Sequence, residues 1–290
     1  MRVTRRYLIQ ALTPTMLVLL VVLVFPTLYV VQLAFQKKRL TSLAPAQWVG
    51  LDNFTALLSD GRFWSALWHS ALFSGISLAV SIPIGCLLGA LMARKLPGTA
   101  FLRTVMILPM VVTPLVIGAL FRFILNSGGL ADHLLQQVGL PSIAFLASST
   151  LALPTVAFVD AWQWIPFVAL VVLAGLESIP KEPLEAARVD GAGPVREFFH
   201  IVLPQLRPLL AVVVLVRLMD SFREFDKIFI MTAGGPGTSS ETLPIYLWRY
   251  AFNYYEVGYA AAVGLVMLVL ISLMSTVLVK RFRAVEGVGR

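Results

Sequence analysis

The chain has 290 residues, of which 58% are hydrophobic and 13% charged, and a formal net charge of +8. Typical soluble domains are about 25% charged, so the composition excludes an ordinary soluble protein and describes one integral membrane domain with no room for a separate soluble one. The basic balance does not require nucleic acid, because cytoplasmic loops of membrane proteins concentrate Lys and Arg.

The expected fold is all-α, with six membrane-spanning helices in a single domain over 1–290. The first apolar run, 7–36, carries no charge, and a span needs about 20 residues. It follows Arg2, Arg5 and Arg6. It is longer than a signal-peptide core of roughly 7–15 residues, and no small-residue cleavage site follows, so a retained helix starting inside is expected. Lys37, Lys38 and Arg39 at its far end run against the charge rule. Residues 40–62 are a loop containing Pro45, Trp48 and the segment Gly50-Leu51-Asp52-Asn53-Phe54.

The second span, 63–93, carries Ser70, Ser74, Gly75, Ser77, Gly85 and Gly89, small residues that let helices approach closely in lipid. Cys86 lies in this run; as the only cysteine it excludes an internal disulfide. Arg94, Lys95 and Arg103 bracket a short Pro97-Gly98 loop. In the third span, 104–125, Pro109 and Pro114 should distort the helix. That gives either a bent helix beside a pathway or a static kink. Arg122 stands near its outer end, where it can snorkel. An outer segment, 126–149, has room for a short surface helix over 132–138. The fourth span, 150–176, contains Trp162-Gln163-Trp164-Ile165-Pro166-Phe167, an aromatic and polar patch.

A polar interruption, 177–208, follows. Pro183 suits a first helical turn, Ala186 and Ala187 are good helix formers, and Gly191 can end that helix with a positive φ. Pro194 suits the start of a second helix, punctuated by Pro204 and Pro208. Val195, Phe198, Phe199 and Val202 fall at helical spacing as one apolar face. Two short helices meeting at a glycine turn make a docking shape, not a span.

The fifth span, 209–231, holds Arg217, Asp220, Arg223, Glu224, Asp226 and Lys227 within or near its outer half. Each charge at mid-membrane costs about 2.5–3.5 kcal/mol, so such residues face a polar cavity or one another. At about 100° per residue Arg217, Asp220, Ser221 and Glu224 share one face, while Arg223, Asp226 and Lys227 point elsewhere. A solute pathway and an internal salt-bridge network both fit. Thr232 to Gly237 is a turn cluster, and the sixth span is 257–279. With the amino terminus inside, inner segments hold 14 Lys and Arg and outer segments 5, which favours that orientation.

Glu185, Ala186, Ala187, Gly191, Ile201, Leu203 and Pro204 carry a resemblance. Glu-Ala-Ala, three residues, Gly, nine residues, Ile-x-Leu-Pro resembles the cytoplasmic loop of the inner-membrane subunits of binding-protein-dependent ABC importers. The resemblance implies that this loop, Asp190 included, contains a coupling helix seated in a cleft of an ATPase subunit. Thr232-x-Gly234-Gly235-Pro236, Glu241-Thr242-Leu243-Pro244, Tyr246 and Tyr250-Ala251-Phe252 resemble the carbohydrate-importing branch, on the side of the larger maltose-type permease. The Gly50 to Phe54 segment resembles that branch's first outer loop. The branch's solute contacts would fall on Gln163, Trp164, Phe167, Arg217, Asp220, Ser221 and Glu224. These positions are more charged than in the maltose system, which points to a different solute. Aromatic rings stack on sugar faces and carboxylates accept hydroxyl hydrogen bonds.

The implied partners are a second, homologous permease in a heterodimer, two ATPase subunits and an extracytoplasmic solute-binding protein, in the cytoplasmic membrane of a bacterium or archaeon. The chain has no Gly-x-x-x-x-Gly-Lys-Ser/Thr loop. ATP and Mg are therefore expected on the partner, with no cofactor, metal or catalytic residue here; His69, His133 and His200 are scattered. A competing class is an ion-gradient-driven transporter using the fifth-span carboxylates, although no inverted repeat is evident. A bare membrane anchor would have no need of buried charges.

Overall fold

The computed structural model describes residues 5–94, 98–180 and 182–287. Arg2, Lys95, Pro97 and Lys181, and the side chains of Ala186 and Val195, lie outside what is described. Among the described residues six stretches are long and apolar enough to cross a membrane: Leu12–Ala34, Gly61–Ala93, Pro114–Gln137, Ala152–Glu177, Phe198–Phe222 and Val257–Phe282. The chain divides into two compact units.

The first unit comprises Met1–Trp64 and Tyr246–Leu270. Its first spanning helix is α1 (Arg5–Leu19), a π-helical turn at Leu20–Val24, and α2 (Phe25–Ala34). The expected loop at 40–62 holds more structure than its composition suggests. Strand β1 (Gln36–Lys37) pairs antiparallel with β2 (Gln47–Trp48), and α3 (Asp52–Ser59) follows. The Asn53 amide donates to Ala34 O at 2.7 Å and Gln36 O at 3.1 Å, taking up carbonyls that the end of α2 leaves without helical partners. Phe54 packs on Phe35, ring centroids 5.3 Å apart. Asp60 then gathers donors: Tyr246 Oη at 2.6 Å, Tyr250 Oη at 3.3 Å and the Arg62 N–H at 2.8 Å. Tyr246 also shares a hydrogen bond with Tyr259 at 2.8 Å. Burial pushes the Asp60 carboxyl up, but these donors win and hold it below its ordinary value, while burial and the Asp60 carboxylate push the Tyr246 phenol up.

The second unit comprises Ser65–Ile245 and Ile271–Arg290, and α8 (Ala152–Glu177) is its most enclosed helix. Val156, Ala157, Val168, Ala169 and Val172 on α8 are fully buried. Small residues bring α4 (Gly61–Ala93) against it. Ser70, Ser74, Ser77 and Ser81 are buried, and a Cβ at Gly89 would stand 2.7 Å from Ala169 O, so only glycine fits there. Of the small residues expected to pack, Gly75 faces open space.

Among the described residues the third and fifth spanning helices are broken. The third is α5 (Thr99–Val111) and α6 (Pro114–Leu125), separated by Val112 and Thr113. Thr113 is extended, φ −63° and ψ 146°, because a residue before proline is driven out of the helical region. The short helix expected at 132–138 is α7, Leu130–Gln137. The fifth departs from the sequence expectation at both ends. It does not begin at 209. It rises without interruption from α10 (Pro194–Glu197) through a π-helical turn at Phe198–Val202 into α11 (Leu203–Phe222). Pro204 follows directly on that π turn, at the second residue of α11. The π turn inserts a residue into the helical count. Phe199 is therefore 58% exposed while Val202 is buried, and the single apolar face expected through both does not form. At the other end α11 stops at Phe222 and α12 (Asp226–Thr232) starts anew. The sixth spanning helix lies in α14 (Val257–Gly287), which follows α13 (Leu243–Trp248) and a π turn at Arg249–Asn253.

Candidate functional site

The break in the fifth helix is made by its own side chains. Arg223 folds back to cap the end of α11: its Nε donates to Met219 O at 3.1 Å and its Nη2 pairs with Asp220 Oδ1 at 2.8 Å. Glu224 caps the start of α12, accepting the Lys227 N–H at 3.0 Å. A cation at a helix C-terminus and a carboxylate at an N-terminus both complement the helix dipole. The expected single face of Arg217, Asp220, Ser221 and Glu224 therefore does not exist, because Glu224 lies past the end of α11.

The structure divides those four. Ser221 is buried, its hydroxyl turned back to Leu218 O at 3.2 Å. The Asp220–Arg223 pair is partly exposed. Arg217 and Glu224 instead join a buried network centred on Asp160 of α8. Arg217 Nη2 lies 2.5 Å from Asp160 Oδ2 and 2.9 Å from Ser77 Oγ of α4. Ser77 Oγ also donates to Asp160 Oδ2. Lys227 Nζ lies 2.8 Å from Asp160 Oδ1 and 2.8 Å from Glu224 Oε2, and donates to Gln163 Oε1 at 3.0 Å. Asp160, Lys227 and Ser77 are fully enclosed, and Arg217 and Gln163 are 1% exposed.

Two carboxylates meet two cations, so the network is neutral. Removing one member of such a buried set costs about 3–5 kcal/mol, because the partner is left charged and unpaired. Asp160 and Ser77 lie outside the expected site, and Lys227, expected to point away from Arg217, joins it on Asp160. The available signal was a lone carboxylate inside an otherwise apolar spanning helix, which is expensive unless partnered.

The residues expected from α8 line one face of it. Asp160, Gln163, Trp164 and Phe167 stand at i, i+3, i+4 and i+7. Gln163 Nε2 donates to Val112 O at 3.0 Å and Pro109 O at 3.4 Å, carbonyls beside the break in the third helix. The Arg217 guanidinium carbon lies 4.9 Å from the centroid of the Trp164 ring, and Phe167 meets Trp164 edge-on at 6.0 Å. Trp162 points elsewhere, 43% exposed and edge-on to Phe121. A cavity of about 630 Å³ opens next to Phe167, between α8 and α11, lined by Met110, Ala174, Gln205 and Leu209 among others. Its wall is mostly apolar.

In the 177–208 region α9 runs Glu182–Val189 and the chain turns at Gly191, φ +79°. The Ala192 N–H reaches back to Ala187 O at 2.9 Å, the closure expected of a glycine-ended helix. Glu185, Asp190 and Gly191 are exposed, Ala187 half-buried, and Ala186 has only its backbone described. Ile201, Leu203 and Pro204 are half-buried. Their neighbours Val202 and Leu206 pack with Val168 and Val172 of α8.

Residues 81–284 match the family described as "Binding-protein-dependent transport system inner membrane component". The chain is 36% identical over 249 residues to the probable ABC transporter permease protein YurN of Bacillus subtilis, covering 84% of this chain and 85% of that one. It is 31% identical over 275 residues to the sulfoquinovosyl glycerol transport system permease protein SmoG of Agrobacterium fabrum, covering 94% and 89%. A solved chain from a bacterial ABC transporter involved in the import of the acidic polysaccharide alginate superposes with a TM-score of 0.84 at 24% identity, over 97% of this chain and 96% of that one.

Proposed function

The chain belongs to the binding-protein-dependent transport system inner membrane components, a multi-pass transport subunit and not an enzyme, and on that footing we propose that it is a permease subunit of an ATP-driven importer for a sugar, polyol or related polyhydroxylated solute. It works in a cytoplasmic membrane by alternating access, beside a second homologous permease, two ATPase subunits and an extracytoplasmic solute-binding protein. ATP closes the ATPase pair, the 177–208 hairpins move, and the paired permeases open outward. SmoG, whose name records a sulfoquinovosyl glycerol as its solute, supports the solute class. So does a face carrying Trp164, Phe167 and hydrogen-bonding side chains, since rings cover the apolar faces of sugars.

The observation that carries this reading is the path from hairpin to network. Glu185 and Asp190 project from a hairpin closed at Gly191. From Pro194 the backbone is helical without interruption to Phe222, passing Arg217 on the way. At 1.5 Å per residue that helix carries a displacement at Pro194 roughly 35 Å to Arg217. The test is uncoupling. Gly191→Val places a β-branched residue at a positive φ that it tolerates poorly, and Glu185→Lys reverses an exposed charge. Both variants should reach the membrane in normal amounts with their partners, while uptake falls at least tenfold. Normal uptake and normal solute-stimulated ATP hydrolysis in both would refute the coupling role of the hairpin.

A further inference from the structure

We propose that Asp160 is a positioning residue for translocation. Through Arg217 and Lys227 it clamps both pieces of the broken fifth helix to the fourth, and so sets the arrangement of the face on which Trp164 and Phe167 stand. The proposal rests on the reading of that face as the solute path.

Three observations carry it. First, the two cations that meet Asp160 come from opposite sides of the break. Arg217 belongs to α11 and contacts one carboxylate oxygen at 2.5 Å; Lys227 belongs to α12 and contacts the other at 2.8 Å. No backbone helix joins α11 to α12, because Arg223 and Glu224 cap the facing ends. The non-helical residues 223–225 connect the two pieces, and the side-chain contacts to Asp160 brace both of them against α8. Second, the same face of α8 does the equivalent work for the third helix, where Gln163 donates to the Val112 carbonyl at 3.0 Å and accepts from Lys227 Nζ through its oxygen. Third, Arg217 has a single nitrogen engaged with Asp160 and Ser77, while Nε and Nη1 are buried without a hydrogen-bond partner among the described residues. The Trp164 ring sits 4.9 Å from its guanidinium carbon. Asp160 thus fixes where Arg217 lies over Trp164 without touching the ring itself.

The geometry separates a clamp from a solute ligand. If Arg217 serves to pair with Asp160, the two charges can be removed together, because neither is then left buried without its counter-charge and the Lys227–Glu224 pair keeps the site neutral. If Arg217 holds the solute, removing it cannot be rescued at position 160.

The test uses the full chain with its partner subunits in membranes and compares Asp160→Asn, Arg217→Gln and the double variant. Uptake of radiolabelled glucose, maltose, mannitol and glycerol 3-phosphate is normalised to the amount of inserted subunit, which removes any loss due to poor assembly. The second readout needs no solute. A cysteine replaces Ile228, which is fully buried on α12, in a Cys86→Ala background, and its alkylation rate is measured. Asp160→Asn should lower normalised uptake at least tenfold and raise alkylation at least tenfold, and the double variant should recover most of both. Unchanged normalised uptake in Asp160→Asn overturns the positioning role. So does a double variant no better than the singles in either measure. If the wild-type chain takes up none of the four solutes, none of them is its solute, and the alkylation rates of the three variants decide whether the clamp exists.

Discussion

Asp160 and Asp60 are two carboxylates held in opposite ways. Asp160, enclosed among spanning helices, is met by a guanidinium and an ammonium. Asp60, just before α4, is met by two phenols and a backbone N–H, with the Arg62 charge adding a smaller pull. The difference follows from access to water. A carboxylate at a span end keeps part of its hydration, so neutral donors do most of the holding and the Arg62 charge the least. One inside a span loses nearly all of it, and only an opposite charge offsets a desolvation penalty of several kcal/mol per ion. Cations brought in for that purpose need partners themselves: Lys227 has Glu224 and Gln163 beside it, and Arg217 has Ser77 and the Trp164 ring.

The largest expected effect lies in that set. Asp160→Ala strands Arg217 and should destabilise the subunit by about 3–5 kcal/mol. Asp60→Ala leaves Tyr246 bonded to Tyr259 and should cost about 1.5–3 kcal/mol, the range for hydrogen bonds to a charged group. Heating each variant in detergent and following the monodisperse fraction compares them. Equal losses would erase the distinction between the two sites.

A smaller effect separates them by pH. The Asp60 carboxyl is held below its ordinary value of 3.8, so the folded state binds that proton less readily than the unfolded state does. Its contribution is complete above 3.8 and is lost as pH falls through the lowered folded value. Wild type should therefore lose stability in acid faster than Asp60→Asn, and Tyr246→Phe should flatten the difference. Parallel curves for all three, measured between pH 5 and 2.5, would mean that the tyrosines do not hold the carboxylate.

What was legible in the sequence tracks the same physics. The break before Pro114 is a local rule, since proline acts on the residue before it. The glycine turn at Gly191 is equally local. The break at 223–225 contains no proline or glycine; it exists because Arg223 and Glu224 find capping geometry, which a helical-wheel argument cannot contain. Assuming continuity there placed Glu224 on a face with Asp220. The π turn at Phe198–Val202 likewise moved Phe199 off an expected face. Asp160 is the one charged residue within 150–176 of the sequence, a weaker signal than the cluster between 217 and 227. The Asp60–Tyr246 pair spans 186 positions and had no signal at all.

The smallest expected stability effect is at Asp220, and it sharpens the contrast most. Asp220 and Arg223 form an i,i+3 pair whose side chains are 37% and 57% exposed. Such pairs contribute about 0.2–0.5 kcal/mol, because water and salt already screen them. Asp220→Asn should leave the thermal midpoint nearly unchanged, unlike any change in the Asp160 set. Uptake then becomes informative precursor-free evidence about the path itself, since no folding loss confounds it. Arg223 holds the end of α11 partly through its Nε bond to Met219 O, so the cap survives the substitution. If Asp220 accepts a solute hydroxyl, as its sequence position suggests, Asp220→Asn should raise the apparent KM several-fold at constant Vmax. Unchanged kinetics would remove Asp220 from the path and leave the α8 face, with Trp164 and Phe167, as the part of the site still to be tested.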